Sequence, residues 1–249
     1  MHGPGVPTLA DFVRAHRRAT RPDHPRGMSR QQLATAIHSS VGYIAKIEQG
    51  GASNPSPSVL DALAEVFALD GDERAHLYHL AQQRFRRPAA AHPRQLEPEL
   101  RTTVDAMSPH LAAVLNGGWD VIGANAAFDA ALPGLLAKGN LLRWLFTDPR
   151  ARLVIEEWER EATVITGCFR GYAGRVGDRD DLRNLLSELG AQPDFQRLWR
   201  AGRVYLDRRD PTVRLRNRKT GQPFGIRVQQ FSTPLPHPNR LLLVGLVDL

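Results

Sequence analysis

Between Ser29 and Gly50 the chain sets side chains that can bond a phosphate or a base edge at short intervals. Ser29, Arg30, Ser39 and Ser40 offer hydroxyls and a guanidinium, Tyr43 and Lys46 a phenol and an amine, and Gly42 and Gly50 leave the backbone open to close approach. Hydroxyls, guanidinium groups and helix-terminal amides bond phosphate oxygens, whereas amines and phenols on a helix face can reach base edges in a major groove. Ser29, Arg30, Ser39, Ser40 and the amides around Gly50 therefore suit a phosphate backbone, and Gly42, Tyr43 and Lys46 suit base edges. No catalytic constellation competes with this chemistry. Gly117, Gly118 and Gly123 lack the following Lys-Ser or Lys-Thr of a phosphate loop, and no nucleophile sits in an elbow motif. His76 and His79 are three apart, a spacing compatible with a metal, but no third ligand stands nearby and a partly exposed pair is expected. No catalytic residue, metal or cofactor is expected.

Two short helices must position these groups. Ser29 can cap the first, with Gln32 three residues on completing a capping box, and Leu33, Ala34 and Ile37 recur at helical spacing. The chain turns at His38. Ser39 or Ser40 then caps a second helix on which Val41, Ile44 and Ile47 face inward, leaving Gly42, Tyr43, Ala45 and Lys46 outward. Gly50 ends it, and Asn54-Pro55-Ser56-Pro57 restarts a helix. Further helices are expected over 9–19, 56–69 and 70–85. The segment resembles the DNA-binding domain of the Cro/C1 repressor class, the XRE family, over roughly residues 9 to 86. That resemblance implies an all-α, five-helix, lambda-repressor-like helix-turn-helix domain. The class usually has glycine where this chain has His38, and a left-handed backbone there would cost a histidine roughly 1 kcal/mol. Glu48 is expected to pair with Arg17 or Arg18 inside the bundle.

Bulk properties agree with a polyanionic partner. The 249 residues exceed one such domain several-fold and are 42% apolar, enough for a second core. Net charge is +7, and residues 1–94 hold 12 Lys and Arg against 8 Asp and Glu. Arg14, Arg17, Arg18, Arg21 and Arg26 precede the motif and could touch phosphates. A lone Cys168 excludes a disulfide framework or a multi-cysteine zinc site, and no apolar run approaches a membrane span. A soluble, cytoplasmic protein without membrane insertion is expected. The proline-punctuated stretch 87–95 reads as a linker between domains at 1–86 and 96–249.

The second half changes pattern. A helix over 97–107 is followed by apolar runs on either side of Asn116-Gly117-Gly118, a hairpin signal in which asparagine and glycine are expected to take positive φ. Helices are expected over 126–132, 141–146, 151–172, 180–189 and 194–201, then strands over 212–218, 224–232 and 241–247. An antiparallel sheet flanked by helices follows, an α+β domain in PAS-like order. Val114-Leu115-Asn116-Gly117, Asp120-Val121-Ile122, Asn125, the run Asn140 to Pro149, Trp158-Glu159 and the run Pro193 to Trp199 resemble the ligand-binding domain of MmyB-like transcription regulators. That family's tryptophan-asparagine pair after the second strand is Ala124-Asn125 here.

The resemblance implies a sequence-specific DNA-binding transcriptional regulator whose C-terminal domain senses a small hydrophobic, fatty-acid-like ligand in an apolar pocket. Trp144, Phe146, Trp158, Phe169, Tyr172 and Trp199 could line such a pocket, although aromatics at helical spacing also make plain core. Arg143, Arg152 and Arg197 are available to a ligand head group. Glu156, Glu157, Glu159 and Glu161 read as a solvated surface. A homodimer on a double-stranded operator with half-sites about 34 Å apart is expected. Two other readings stand beside it: a C-terminal protein-interaction module without ligand, and an enzyme domain with a DNA anchor.

Overall fold

The computed structural model describes residues 4–52, 54–82, 96–232 and 240–247. The expected linker over 87–95 lies outside them.

The N-terminal helices are α1 (Leu9–Arg18), α2 (Arg30–Ala36), α3 (Val41–Glu48), α4 (Pro57–Val66) and α5 (Gly71–Ala81). Each begins where a short polar side chain accepts a backbone N–H bond: Thr8, Ser29, Ser40, Ser56 and Asp70 respectively. Ser29 with Gln32 and Asp70 with Glu73 form complete capping boxes. Val13, Leu33, Ile44, Ile47, Leu63 and Leu77 meet in one core.

Three of these helices close by the same device. His38 (φ 52), Gly50 (φ 74) and Ala68 (φ 50) turn left-handed. The next residue then donates back into the last turn, Ser39 N to the Ala34 carbonyl (2.8 Å), Gly51 N to Lys46 (2.9 Å) and Leu69 N to Ala64 (3.0 Å). His38 thus adopts the backbone that glycine would take at less cost. The left-handed Ala68 also explains why α4 stops at Val66 rather than Leu69.

The C-terminal part comprises α6 (Pro98–Ala106), β1 (Leu111–Asn116), β2 (Val121–Ala124), α7 (Ala126–Ala131), α8 (Leu135–Lys138), α9 (Leu141–Thr147), α10 (Pro149–Val154), α11 (Trp158–Val176), α12 (Asp180–Leu189), α13 (Pro193–Arg200), β3 (Thr212–Arg216), β4 (Pro223–Ser232) and β5 (Arg240–Val247). The strands form one antiparallel sheet in the order β2-β1-β5-β4-β3. Leu111, Ala113, Leu115, Val213, Leu215 and Ile226 face the helical layer and its large core. The opposite face, with Ala112 and Val114, is covered by α6 through Val104.

Two local expectations are corrected. In the β1–β2 hairpin the positive φ (67) belongs to Trp119, not to Asn116, Gly117 or Gly118. The loop closes with Trp119 N donating to the Asn116 carbonyl (2.9 Å) and Asn116 N to Asp120 (3.0 Å). Gly117 serves another purpose, because a β-carbon there would overlap the outer edge of the Tyr172 ring unless that ring moved. The single helix expected over 151–172 is broken into α10 and α11. Ile155 pairs with Leu215 and Glu156 N donates to the Arg214 carbonyl (3.1 Å), so β3 draws this backbone out of the helix.

Candidate nucleic-acid interface and ligand-binding core

Behind α3 lies a charge lock. The Glu48 carboxylate, with its residue 1% exposed, accepts from Arg17 Nε at 2.5 Å and from Arg30 Nε at 2.7 Å. Arg17 also donates to the Met28 carbonyl (2.7 Å), and Arg14 donates to the backbone carbonyl of Glu48. Burial alone would push the Glu48 carboxyl up, but the bonds and charges of Arg17 and Arg30 outweigh it and hold the group below the usual carboxylate range. The expected Arg17 pairing is therefore present, and α1, α2 and α3 are tied at one point.

In front, α3 presents its N-terminal half to solvent. Ser40 caps the helix through its bond from Tyr43 N (3.1 Å), and Ser40, Gly42 and Lys46 are exposed. Ser39 and Tyr43 are half-buried, Tyr43 resting on the helical core. Among the described residues Lys46 has no ion pair. Ser29, at the start of α2, and Gly50, just past α3, are exposed. Val41, expected inward, is 37% exposed, because the first residue of α3 projects past the edge of the bundle that Ile44 and Ile47 seal. Arg30, expected to hold a phosphate, has Glu48 as a partner inside the chain while its side chain stays 43% exposed.

The six aromatic residues expected to line a pocket all lie in or against the one large core but make different contacts. Phe146 meets Trp158 edge-on at 5.7 Å and Phe195 at 5.2 Å, Phe195 stacks on Trp199 at 5.4 Å, and Trp199 reaches Phe169 at 5.8 Å. Phe146, Trp158, Phe169 and Trp199 are thus joined through Phe195, a residue outside the expected pocket set. Its signal was its place four residues before Trp199 on the amphipathic α13. Trp144 is fully buried, its Nε1 donating to the Pro133 carbonyl (3.1 Å). Tyr172, partly buried against the same core, also lines a groove of about 1090 Å³ with Asn116, Asp120, Arg143, Arg179 and Leu182.

The three arginines suggested for a head group already have acidic partners: Arg143 with Glu188 (2.7 Å), Arg197 with Glu159 (2.7 Å) and Arg152 with Asp194. Arg152 also lies 3.5 Å from the centre of the Trp158 ring. The glutamates around Trp158 are not uniformly solvated: Glu161 is buried and ion-paired with Arg208, whereas Glu156, Glu157 and Glu159 pair at the surface with Arg216, Arg160 and Arg197.

The polar residues of the C-terminal pattern turn out to be fasteners. Asn125 is buried, donates to the Val104 and His110 carbonyls and accepts from Ala112 N and Phe128 N, fixing α6, β1 and α7 together. Asn140 caps α9 and bonds Asp120 and the Gly118 carbonyl. Asp148 caps α10 and is drawn down to about 2 by the Arg150 hydrogen bonds. Ala124, in place of the family's aromatic, packs into the core.

A helix-turn-helix domain model matches residues 8–77, over the bundle that carries α3. The model for the MmyB-like transcription regulator ligand binding domain matches residues 96–245, more than half of the chain. The chain belongs to the MmyB-like transcription regulators. Comparison with curated proteins gives no match. As an MmyB-like regulator the protein joins a DNA-binding helix-turn-helix to a ligand-binding domain. No helix among the described residues is long and apolar enough to cross a membrane.

In this MmyB-like regulator the two parts touch. Helix α5 packs on α11, where the His76 ring occupies the space a β-carbon on Gly174 would need. His76, expected to be partly exposed, is 1% exposed, and burial, then the nearby Arg170 charge, pushes its imidazole down to about 3, so it is neutral. Arg170 lies 4.1 Å from the centre of the Trp199 ring and donates to the Trp199 carbonyl. Arg209 pairs with Asp70 (3.1 Å) and Asp72 (2.9 Å) at the start of α5.

Proposed function

We propose that this regulator binds specific DNA through α3 and that its C-terminal domain responds to a small hydrophobic, fatty-acid-like molecule. The observation that carries the DNA reading is the outward face of α3, with Gly42, Tyr43 and Lys46 on a helix braced from behind by Glu48. In this reading Gly42, Tyr43 and Lys46 meet base edges in the major groove. Ser29, Arg30, Ser39, Ser40 and the amides around Gly50 hold phosphates. Small residues on the helix leave few bidentate base contacts, so Lys46, Tyr43 and DNA shape carry the specificity. One such module buries little DNA surface, and two copies joined through their C-terminal domains would read a repeated site.

The test is selection of binding sites from random DNA with the full chain, which also gives half-site spacing. On a selected site Lys46→Ala should lose about 1–3 kcal/mol of affinity. An equal loss on random duplex would make Lys46 a phosphate contact instead.

For the ligand, the aromatic cluster of Phe146, Trp158, Phe169, Phe195 and Trp199, with Trp144 in the same core, supplies an apolar lining, and Tyr172 lines a groove beside it. Native mass spectrometry of the purified chain should find a co-purified apolar molecule. Its consistent absence, together with no uptake of palmitate, would favour a protein-interaction module.

A further inference from the structure

Among the described residues of the C-terminal domain, one hairpin gathers several cations that have no acidic partner. Residues 211–232 hold Arg214, Arg216, Arg218, Lys219 and Arg227 and contain no Asp or Glu. Arg216 is engaged with Glu156 (2.6 Å). Among the described residues, the side chains of Arg214, Arg218, Lys219 and Arg227 make no hydrogen bond or ion pair, and all four residues are exposed. Elsewhere in the domain the arginines are largely spoken for, as in Arg143 with Glu188, Arg160 with Glu157, Arg179 with Asp181 and Arg208 with Glu161.

The hairpin holds these cations in a fixed display. Val213, Leu215 and Ile226 point into the core, so strand alternation sends Arg214 and Arg227 to the outer face. The register pairs Thr212 with Arg227 and Arg214 with Gly225, which makes Arg214 and Arg227 diagonal neighbours. At the tip, Asn217 Oδ1 accepts from Lys219 N (2.9 Å) and Gly221 N donates to the Asn217 carbonyl (2.8 Å), ordering the turn that carries Arg218 and Lys219. Edge strands often carry charge to prevent sheet-to-sheet pairing, and β3 is an edge strand. That accounts for Arg214 alone. Arg227 stands on β4, an interior strand, and Arg218 and Lys219 stand in a turn, where no open edge needs protection. Like charges held together without counter-charges are a cost unless a polyanion meets them.

We propose that the β3–β4 hairpin is a second, sequence-independent contact for the phosphate backbone of duplex DNA, supplementing α3. The DNA-reading domain adjoins the start of this strand, since Arg209 pairs with Asp70 and Asp72 of that domain. The choice of duplex DNA as the polyanion rests on the reading of α3 given above.

The experiment titrates the full chain and its Arg214→Gln/Arg218→Gln/Lys219→Gln/Arg227→Gln variant against random-sequence duplex at a series of salt concentrations, with circular dichroism confirming the fold. Random duplex needs no knowledge of the operator. The variant should bind at least tenfold more weakly at low salt, and its plot of log affinity against log salt should be shallower by about 3. A variant with lysine at all four positions should keep the slope of the natural chain. Unchanged slope and affinity in a folded glutamine variant overturn the proposal. So does a variant that loses binding to phosphatidylglycerol vesicles or to polyglutamate while its DNA slope is unchanged. If site selection finds no sequence preference but the slope still falls, the reading of α3 fails and the hairpin contact stands.

Discussion

Glu48→Ala should destabilise the helix-turn-helix domain by about 3–5 kcal/mol, enough to abolish specific DNA binding at physiological temperature. The carboxylate is buried between two arginines, and removing it leaves Arg17, itself 8% exposed, as a buried cation without a counter-charge. The same contact fixes the end of α3 against α1 and α2, so the recognition helix loses its orientation as well. Amide hydrogen exchange within residues 9–81 measures this; a loss under about 1 kcal/mol would show that the lock is dispensable.

The acid response has a definite sign. The Glu48 carboxyl is depressed in the folded chain, so its contribution is fully present above the unfolded value and fades as pH falls through the folded one. Glu48→Gln should remove this part of the pH dependence and leave a flatter acid limb.

Phe195→Ala should cost the C-terminal domain about 3–5 kcal/mol. Phe195 is fully buried and links Phe146 to Trp199, so its loss opens a cavity between them. All four tryptophans, Trp119, Trp144, Trp158 and Trp199, lie in this half of the chain, so urea unfolding followed by tryptophan fluorescence reports on it selectively. A shift smaller than that of a typical surface substitution would mean that the neighbouring rings collapse into the space, the behaviour of an adaptable ligand chamber rather than a rigid core.

Most of the local architecture was legible because its causes are local. Ser29 with Gln32 caps α2 through bonds spanning three residues, Ser40 proves to be the cap among the two serines open to α3, and the apolar spacings of α2, α3 and α4 lie within single helices. That Glu48 would pair with Arg17 or Arg18 was legible too, since a carboxylate inside a helical bundle needs a cation, but the choice of Arg17 and the second partner Arg30 came from the fold. The aromatic set was less so: periodicity marks Trp144, Trp158, Phe169 and Trp199 as inward, but it cannot tell which rings touch, and it passed over Phe195.

What had to wait for the folded chain are the outcomes set by partners far along it. The break between α10 and α11 is made by β3, sixty residues from Glu156 by the Arg216 pair. His76 is buried by Gly174 from the other domain, Arg30 is held by Glu48 on the next helix, and Val41 is exposed because the bundle ends beneath it. The arginines and lysine of the β3–β4 hairpin can be counted in the sequence, but only the pairing of Arg216 with Glu156 and of most other arginines in the domain with acids marks Arg214, Arg218, Lys219 and Arg227 as a group without counter-charges. Helix caps and strand alternation depend on backbone geometry within a few residues, which the order of amino acids specifies directly. Burial, ion pairing and ring contact depend on which distant surfaces meet, and that follows from packing the whole chain.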